Sequence, residues 1–213
     1  MEAEATVFVV DDDADLRRSV RWLLRTNGLN VETFASAERF LEEYDPDAPG
    51  CVLVDLRMPG MSGLDLQRRI RDNDWPAPVI MVTGHADVPT AVRALEEGAA
   101  GFIEKPFSRR RLMDRIQRAI EQDAQVRRER SQRAEIVARL DHLTPRQREV
   151  MNLVVAGNMT KEIAARIGAS ARTVEVHRKQ VMAKMQVESL AELVALAVRH
   201  DLCGAESRPG GKK

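Results

Sequence analysis

The 213-residue chain is 44% hydrophobic and 31% charged, enough apolar material for packed cores and too little excess charge for a disordered chain. Its formal net charge is zero, and its two cysteines, Cys51 and Cys203, lie far apart without metal-ligand spacing. No disulfide scaffold or zinc site is expected, and a reducing cytoplasm fits. No apolar run approaches the roughly 18 residues of a membrane span. The acidic start Met1-Glu2-Ala3-Glu4 is not expected to be a signal peptide.

Thr6–Val10 reads as a strand. Leu16, Val20, Leu23 and Leu24 then recur at helical spacing. Asn30–Phe34 is a second strand, and Ser36 caps a short helix carrying Phe40, Leu41 and Tyr44. Cys51–Leu56 is an apolar run broken only by Asp55. A Pro/Gly loop from Met58 to Gly63 leads to a helix over Leu64–Arg71. Pro78–Thr83 is a buried strand. A helix with Val88, Ala91, Val92 and Leu95 follows and ends at Gly98. Gly101–Glu104 is a fifth strand, and Ser108 opens a helix with Leu112, Ile116 and Ile120 inward. Strands and helices in alternation predict an α/β doubly wound five-stranded parallel sheet, helices on both faces, over residues 1–122. Residues 123–140 form a charged stretch without Gly or Pro, read as a helical linker.

Beyond it the pattern is all-α, a four-helix helix-turn-helix domain over 141–204. Thr144 caps a helix that starts at Pro145, and Gln147 completes a capping box. Thr160–Ile167 and about Ala171–Met185 are two helices joined through Gly168 and Ser170, the helix-turn-helix outline. Leu190, Leu193, Val194 and Val198 on a fourth helix serve either the core or a dimer face. Residues 205–213 are a tail expected to be disordered. Net charge zero hides a division. Residues 1–122 hold 16 Lys/Arg against 22 Asp/Glu, net −6, and residues 123–213 hold 17 against 11, net +6. The basic half is the candidate for nucleic acid.

Ligands of parallel sheets sit beyond the carboxyl ends of the strands. Asp11 and Asp12 follow strand one, Asp55 ends strand three, Thr83 ends strand four and Lys105 follows strand five. Three carboxylates converging there repel unless a cation lies among them, and oxygen ligands of this kind suit Mg²⁺. With a hydroxyl from Thr83 and a charge from Lys105, this is equipment for phosphoryl transfer to a carboxylate. Taken singly, each residue is more often a turn, a cap or a solvated group; the joint placement carries the reading. On the third helix of the second half, Val174, Val181 and Met185 form an apolar stripe, while Val176 stands about 200° from Val174 at roughly 100° per residue. An exposed Val flanked by Glu175 and Lys179 fits a helix face entering a DNA major groove, against the plain alternative of a solvated amphipathic face.

Val10-Asp11-Asp12-Asp13, Val54-Asp55-Leu56-Arg57-Met58-Pro59-Gly60-Met61-Ser62-Gly63, Val82-Thr83-Gly84-His85-Ala86 and Gly101-Phe102-Ile103-Glu104-Lys105-Pro106-Phe107 resemble, in order and spacing, a two-component receiver domain of flavodoxin-like fold. The resemblance implies Asp55 as the phosphoacceptor of a sensor histidine kinase. Asp12, Asp55 and the backbone carbonyl of Arg57 would ligate Mg²⁺, with Asp11 acting through water. Thr83 and Lys105 would hold the phosphoryl oxygens, Phe102 would be the switch aromatic, and Lys105–Pro106 would be cis. Leu143-Thr144-Pro145-Arg146-Gln147-Arg148-Glu149, Gly157-Asn158-Met159-Thr160-Lys161-Glu162-Ile163-Ala164 and the run Thr173–Met185 resemble the LuxR-type helix-turn-helix. That implies Glu175, Val176 and Lys179 near base edges and Lys161, Thr173, Arg178 and Lys184 near phosphates, with His177 a packing or phosphate-side residue. The whole chain is similar to response regulators of the FixJ/NarL type.

The resemblance implies a transcription regulator rather than an enzyme. Phosphorylation would expose a dimer face around residues 88–105 and pair two domains on double-stranded DNA. It leans toward activation, with RNA polymerase as a further candidate partner. An aspartyl-nucleophile phosphatase is the rival enzyme reading. Its Asp-x-Asp-x-Thr/Val pattern fails here, because Asp15 stands at the fifth position and no cap domain is apparent. A regulator indifferent to phosphorylation is the third reading.

Overall fold

A computed structural model of the chain describes residues 4–84, 93–200 and 202. It divides into two compact units, Met1–Arg128 and Glu129–Lys213, each considered by itself. The first is built on strands β1 (Thr6–Val10), β2 (Asn30–Phe34), β3 (Gly50–Asp55), β4 (Val79–Thr83) and β5 (Gly101–Glu104). All pair in parallel, in the order β2-β1-β3-β4-β5. Helices α1 (Ala14–Arg25), α2 (Ala37–Glu43) and α3 (Gly63–Asp72) follow the first three strands, and α4 (Arg109–Asp141) follows β5.

The strands are apolar on both faces because both are covered. Phe8, Val10, Val52, Val54 and Met81 join Phe40 of α2 and Leu66 and Ile70 of α3 in one core. Val7, Val9, Leu53, Ile80, Val82 and Ile103 join Val20 and Leu24 of α1 and Leu112, Ile116 and Ala119 of α4 in the other. Each such buried aliphatic side chain contributes roughly 1.5–3 kcal/mol. Side-chain caps start the helices, Ser36 at the position expected from sequence and Asp13 at one not singled out there. Ser36 accepts from the backbone N–H of Arg39, and Asp13 accepts from those of Asp15 and Leu16.

Of the helix expected between β4 and β5, Val88, Ala91 and Val92 lie outside the described residues. Residues 93–96 are helical. Leu95, expected among its apolar set, is 46% exposed, and Ala94 is the residue that packs inward. One position turns a helix by about 100°, so Leu95 and Ala94 face different ways.

The second unit holds α5 (Pro145–Val155), α6 (Thr160–Ile167), α7 (Ala171–Met185) and α8 (Leu190–Arg199). Thr144 and Gln147 form the expected capping box. Gly168 closes α6 in the left-handed conformation, φ 63°, where a Cβ would be strained. Val174, Val181 and Met185 of α7 are buried with Val150, Met151, Ile163 and Leu193, and Ile136 and Leu140 from the end of α4 complete this core. On α8, Leu193 is buried while Leu190 and Val198 are exposed, so the apolar set named from sequence splits between core and surface. Cys203 and residues 205–213 lie outside the described residues, and no described helix is long and apolar enough to cross a membrane.

Candidate functional site

The strand order reverses direction between β1 and β3, and the acidic residues gather at the carboxyl end of that switch point. Val10 pairs with Val54, so Asp11 and Asp55 leave adjacent strands side by side. Carboxylate oxygens of Asp11, Asp12 and Asp55 lie within 4.8 Å of one another. Lys105, just past β5, places its Nζ 2.9 Å from Asp11 Oδ2 and 3.4 Å from Asp55 Oδ1. Asp11 is buried and its Oδ1 also accepts from the backbone N–H of Asp13, whereas Asp12 is exposed.

Burial pushes the Asp55 carboxyl above its ordinary range. Lys105 draws it down, and Asp11 and Asp12 push it up again. One ammonium therefore faces three carboxylates, an arrangement that gains from a further cation. The donors are all oxygen and fit a hard divalent ion. Thr83, at the end of β4, is buried and accepts the backbone N–H of Lys105 on its carbonyl at 2.7 Å. Phe102 is half-buried on β5 against the core formed with α2 and α3. Arg57 is exposed in the loop after β3, and the Lys105–Pro106 peptide is cis.

The second unit presents a different surface. Val176 is exposed on α7 opposite the buried Val174. Lys179 and, on α6, Lys161 are exposed as well. Glu175 accepts from the Thr160 hydroxyl at 2.7 Å and from Arg178 Nη1 at 3.2 Å, and Arg178 also donates to Thr160 Oγ1 at 2.8 Å. Thr173 pairs its hydroxyl with that of Ser170, the cap of α7. Lys184 does not stand with the exposed cations. Its ammonium donates to the His142 carbonyl at 2.9 Å and to Gln147 Oε1 at 2.8 Å. His177 is half-buried, consistent with packing.

Residues 7–117 match the response regulator receiver domain family, and residues 141–197 match the bacterial regulatory proteins, luxR family. The transcriptional regulatory protein FixJ of Bradyrhizobium diazoefficiens is 42% identical over 199 residues, covering 93% of this chain and 97% of that protein. The response regulator protein TodT of Pseudomonas putida is 36% identical, covering 92% of this chain and 86% of that protein. The chain belongs to the FixJ-like response regulators.

Among solved structures, the response regulator StyR aligns with TM-score 0.84 and 41% identity over 92% of this chain and 100% of that one. Full-length FixJ from B. japonicum aligns with TM-score 0.58 and 42% identity over 94% of this chain and 98% of that one. This response regulator is thus a transcriptional regulator of a two-component system, and its two domains imply a histidine kinase and DNA as partners.

Sequence reasoning missed a cluster at the opposite end of the sheet from the acidic site. Asp123, placed by the sequence in a charged helical linker, is buried, and Arg127 bonds to both it and the loop before β3. The available signal was the i, i+4 spacing of Asp123 and Arg127, which marks an ion pair but not its burial. Gln147 was read only as a cap; it is buried and also binds Gln180 and Lys184.

Proposed function

We propose that Asp55 takes a phosphoryl group from a sensor histidine kinase, and that this controls dimerisation and sequence-specific binding to double-stranded DNA, with activation of transcription as the outcome. The supporting observation is the meeting of Asp11, Asp12 and Asp55 with Lys105 set between two of them. In the step itself, the N–P bond of the kinase phosphohistidine breaks and a bond from phosphorus to an Asp55 carboxylate oxygen forms. The departing imidazole takes up a proton. Asp11, Asp12, Asp55 and the Arg57 carbonyl are the groups we assign to Mg²⁺. When bound, that ion supplies positive charge to the phosphoryl oxygens. Lys105 gives up part of its contact with Asp55 to meet the incoming charge, and the Thr83 hydroxyl holds a second oxygen. Phe102 responds to Thr83 as the switch aromatic.

We assign residues 1–122 to the receiver, with the anchored turn 123–127 added. The linker helix runs to 140 and the DNA-binding domain spans 141–204. Dimerisation uses the receiver surface that includes the exposed Leu95; residues 88–92 of the expected face lie outside the described ones. On DNA, Glu175, Val176 and Lys179 read base edges while Lys161, Thr173 and Arg178 meet phosphates. Lys184 serves the fold of its own domain first, since its donors are engaged there. The address is cytoplasmic, with RNA polymerase as a further partner.

The test is mass and oligomeric state with and without acetyl phosphate, or beryllofluoride, plus Mg²⁺, on wild type and Asp55→Asn. Modification and dimerisation in the wild type alone support the reading. Dimerisation that ignores Asp55 removes phosphorylation as the control.

A further inference from the structure

The buried charge at the far end of the sheet has no part in phosphoryl transfer. Asp123 sits on α4 with its side chain 2% exposed, and its Oδ2 accepts the backbone N–H of Gly50 at 2.8 Å. Gly50 is the first residue of β3, the strand that ends in Asp55. A Cβ at Gly50 would meet the Thr6 carbonyl oxygen at 1.8 Å, so strand β1 and the helix carboxylate close on this backbone from two sides. One turn further on, Arg127 Nε donates to both Asp123 oxygens at 2.9 Å. Its Nη1 donates to the Asp47 carbonyl at 3.0 Å, and its Nη2 to those of Pro46 at 3.0 Å and Ala48 at 2.7 Å. Four of the five guanidinium donors are thereby used, all on the loop that feeds β3 or on the carboxylate that holds it.

The next residues along α4 differ in kind. Residues 128–135 are all exposed, and burial resumes at Ile136 in the core of the second unit. Arg127 thus stands at the end of the buried part of α4 in the receiver, and the boundary between the compact units follows Arg128. A guanidinium and carboxylate pair buried at such a place costs desolvation and is retained where it fixes a register or a direction.

We propose that Asp123 and Arg127 are positioning residues that lock the start of the linker helix to the base of the phosphoacceptor strand, and that this lock couples the state of Asp55 to DNA binding. The proposal rests on the phosphorylation reading above. β3 spans about 17 Å from Gly50 to Asp55 at roughly 3.3 Å per residue. It is a stiff element with the acceptor at one end and the helix carboxylate at the other. Apart from the lock, α4 is held to the receiver by the bond of Arg109 to Asn27 in its first turn and by apolar contacts such as those of Leu112, Ile116 and Ala119, which permit sliding where hydrogen bonds do not.

The experiment uses the full chain and a duplex selected from a random pool on the beryllofluoride-treated wild type. Its readout is the ratio of DNA affinities with and without beryllofluoride plus Mg²⁺, for wild type, Arg127→Ala, Arg127→Lys and the exposed neighbour Arg128→Ala. Beryllofluoride binding at Asp55 and hydrogen exchange of residues 46–52 are followed in parallel. Couplings of this type span roughly 5–150-fold. R127A and R127K are expected to lose at least about threefold of the ratio, with faster exchange in residues 46–52, unaltered beryllofluoride binding and no change in R128A. R127K keeps the stem and the charge but cannot span three carbonyls, so it decides the matter should R127A fail to fold. A wild-type ratio above one that persists in R127K overturns the lock alone. A wild-type ratio of one overturns both the lock and the phosphorylation reading.

Discussion

The two units assemble their functional groups by opposite routes. In the receiver, residues distant in sequence are brought together by the parallel sheet: Asp11, Asp55, Thr83 and Lys105 stand at the carboxyl ends of four different strands, on one edge. In the helical unit the candidate contacts lie along α7, with α6 beside it, and their side chains are largely exposed. The first arrangement is preorganised by buried backbone. The second carries half-exposed bonds such as those of Arg178 to Glu175 and Thr160, which contribute little in isolation.

The cores differ as well. All of the chain's 5 Phe, 2 Trp and 1 Tyr lie before residue 108. Phe8, Phe34 and Tyr44 surround Phe40, and Trp75 lies 5.1 Å from the Tyr44 ring. The largest expected effect separates the units on this basis. Phe40→Ala should cost about 3–5 kcal/mol and lower the unfolding transition reported by tryptophan fluorescence. Met185→Ala, in the aliphatic core of the second unit, should cost about 2–5 kcal/mol and shift far-ultraviolet circular dichroism while leaving that fluorescence transition in place. Equal shifts of both signals by either substitution would break the division.

Much of the molecule was legible because each rule used was local or followed from the sheet. Alternating apolar runs gave the strands, Ser36, Thr144 and Ser170 marked helix starts, and strand-end placement located the acidic site. Burial that depends on a distant partner was not legible. Asp123 looks like any charged residue on a solvated helix until the loop at 46–50 is folded beneath it. Lys184 looks like a free cation until α5 supplies Gln147. Leu95 shows the limit in the other direction, since a wrong phase of one residue turns an inward side chain outward.

The second prediction sharpens the contrast within α7. If Lys179 reads a base edge, Lys179→Ala should remove about 1–3 kcal/mol of preference for a selected duplex over a shuffled one. If Arg178 meets phosphate, Arg178→Ala should weaken both duplexes alike and lower the logarithmic salt slope by about one. Fluorescence anisotropy across a salt series measures both quantities. A loss of sequence preference in Arg178→Ala would reverse the two assignments.

The smallest expected effect concerns ion pairing that is not part of either site. Arg68 on α3 donates to Glu97 at 2.8 and 2.9 Å, and Arg93 adds a third bond at 2.9 Å. Hydrogen bonds from Arg68 and then Arg93 hold the Glu97 carboxyl at about 2, well below its ordinary 4.5. An acid depressed in the folded state stabilises the fold above its unfolded value, and that contribution is lost as pH falls through the folded value. Glu97→Gln should therefore be less stable than wild type at neutral pH, and the gap should close as pH falls from about 4.5 toward 2. Urea midpoints followed by tryptophan fluorescence across that range measure it. A gap that stays constant with pH would mean the carboxylate's charge contributes nothing, and that α3 is joined to residues 93–97 by packing and by the bond from Gln67 to the Ala94 carbonyl.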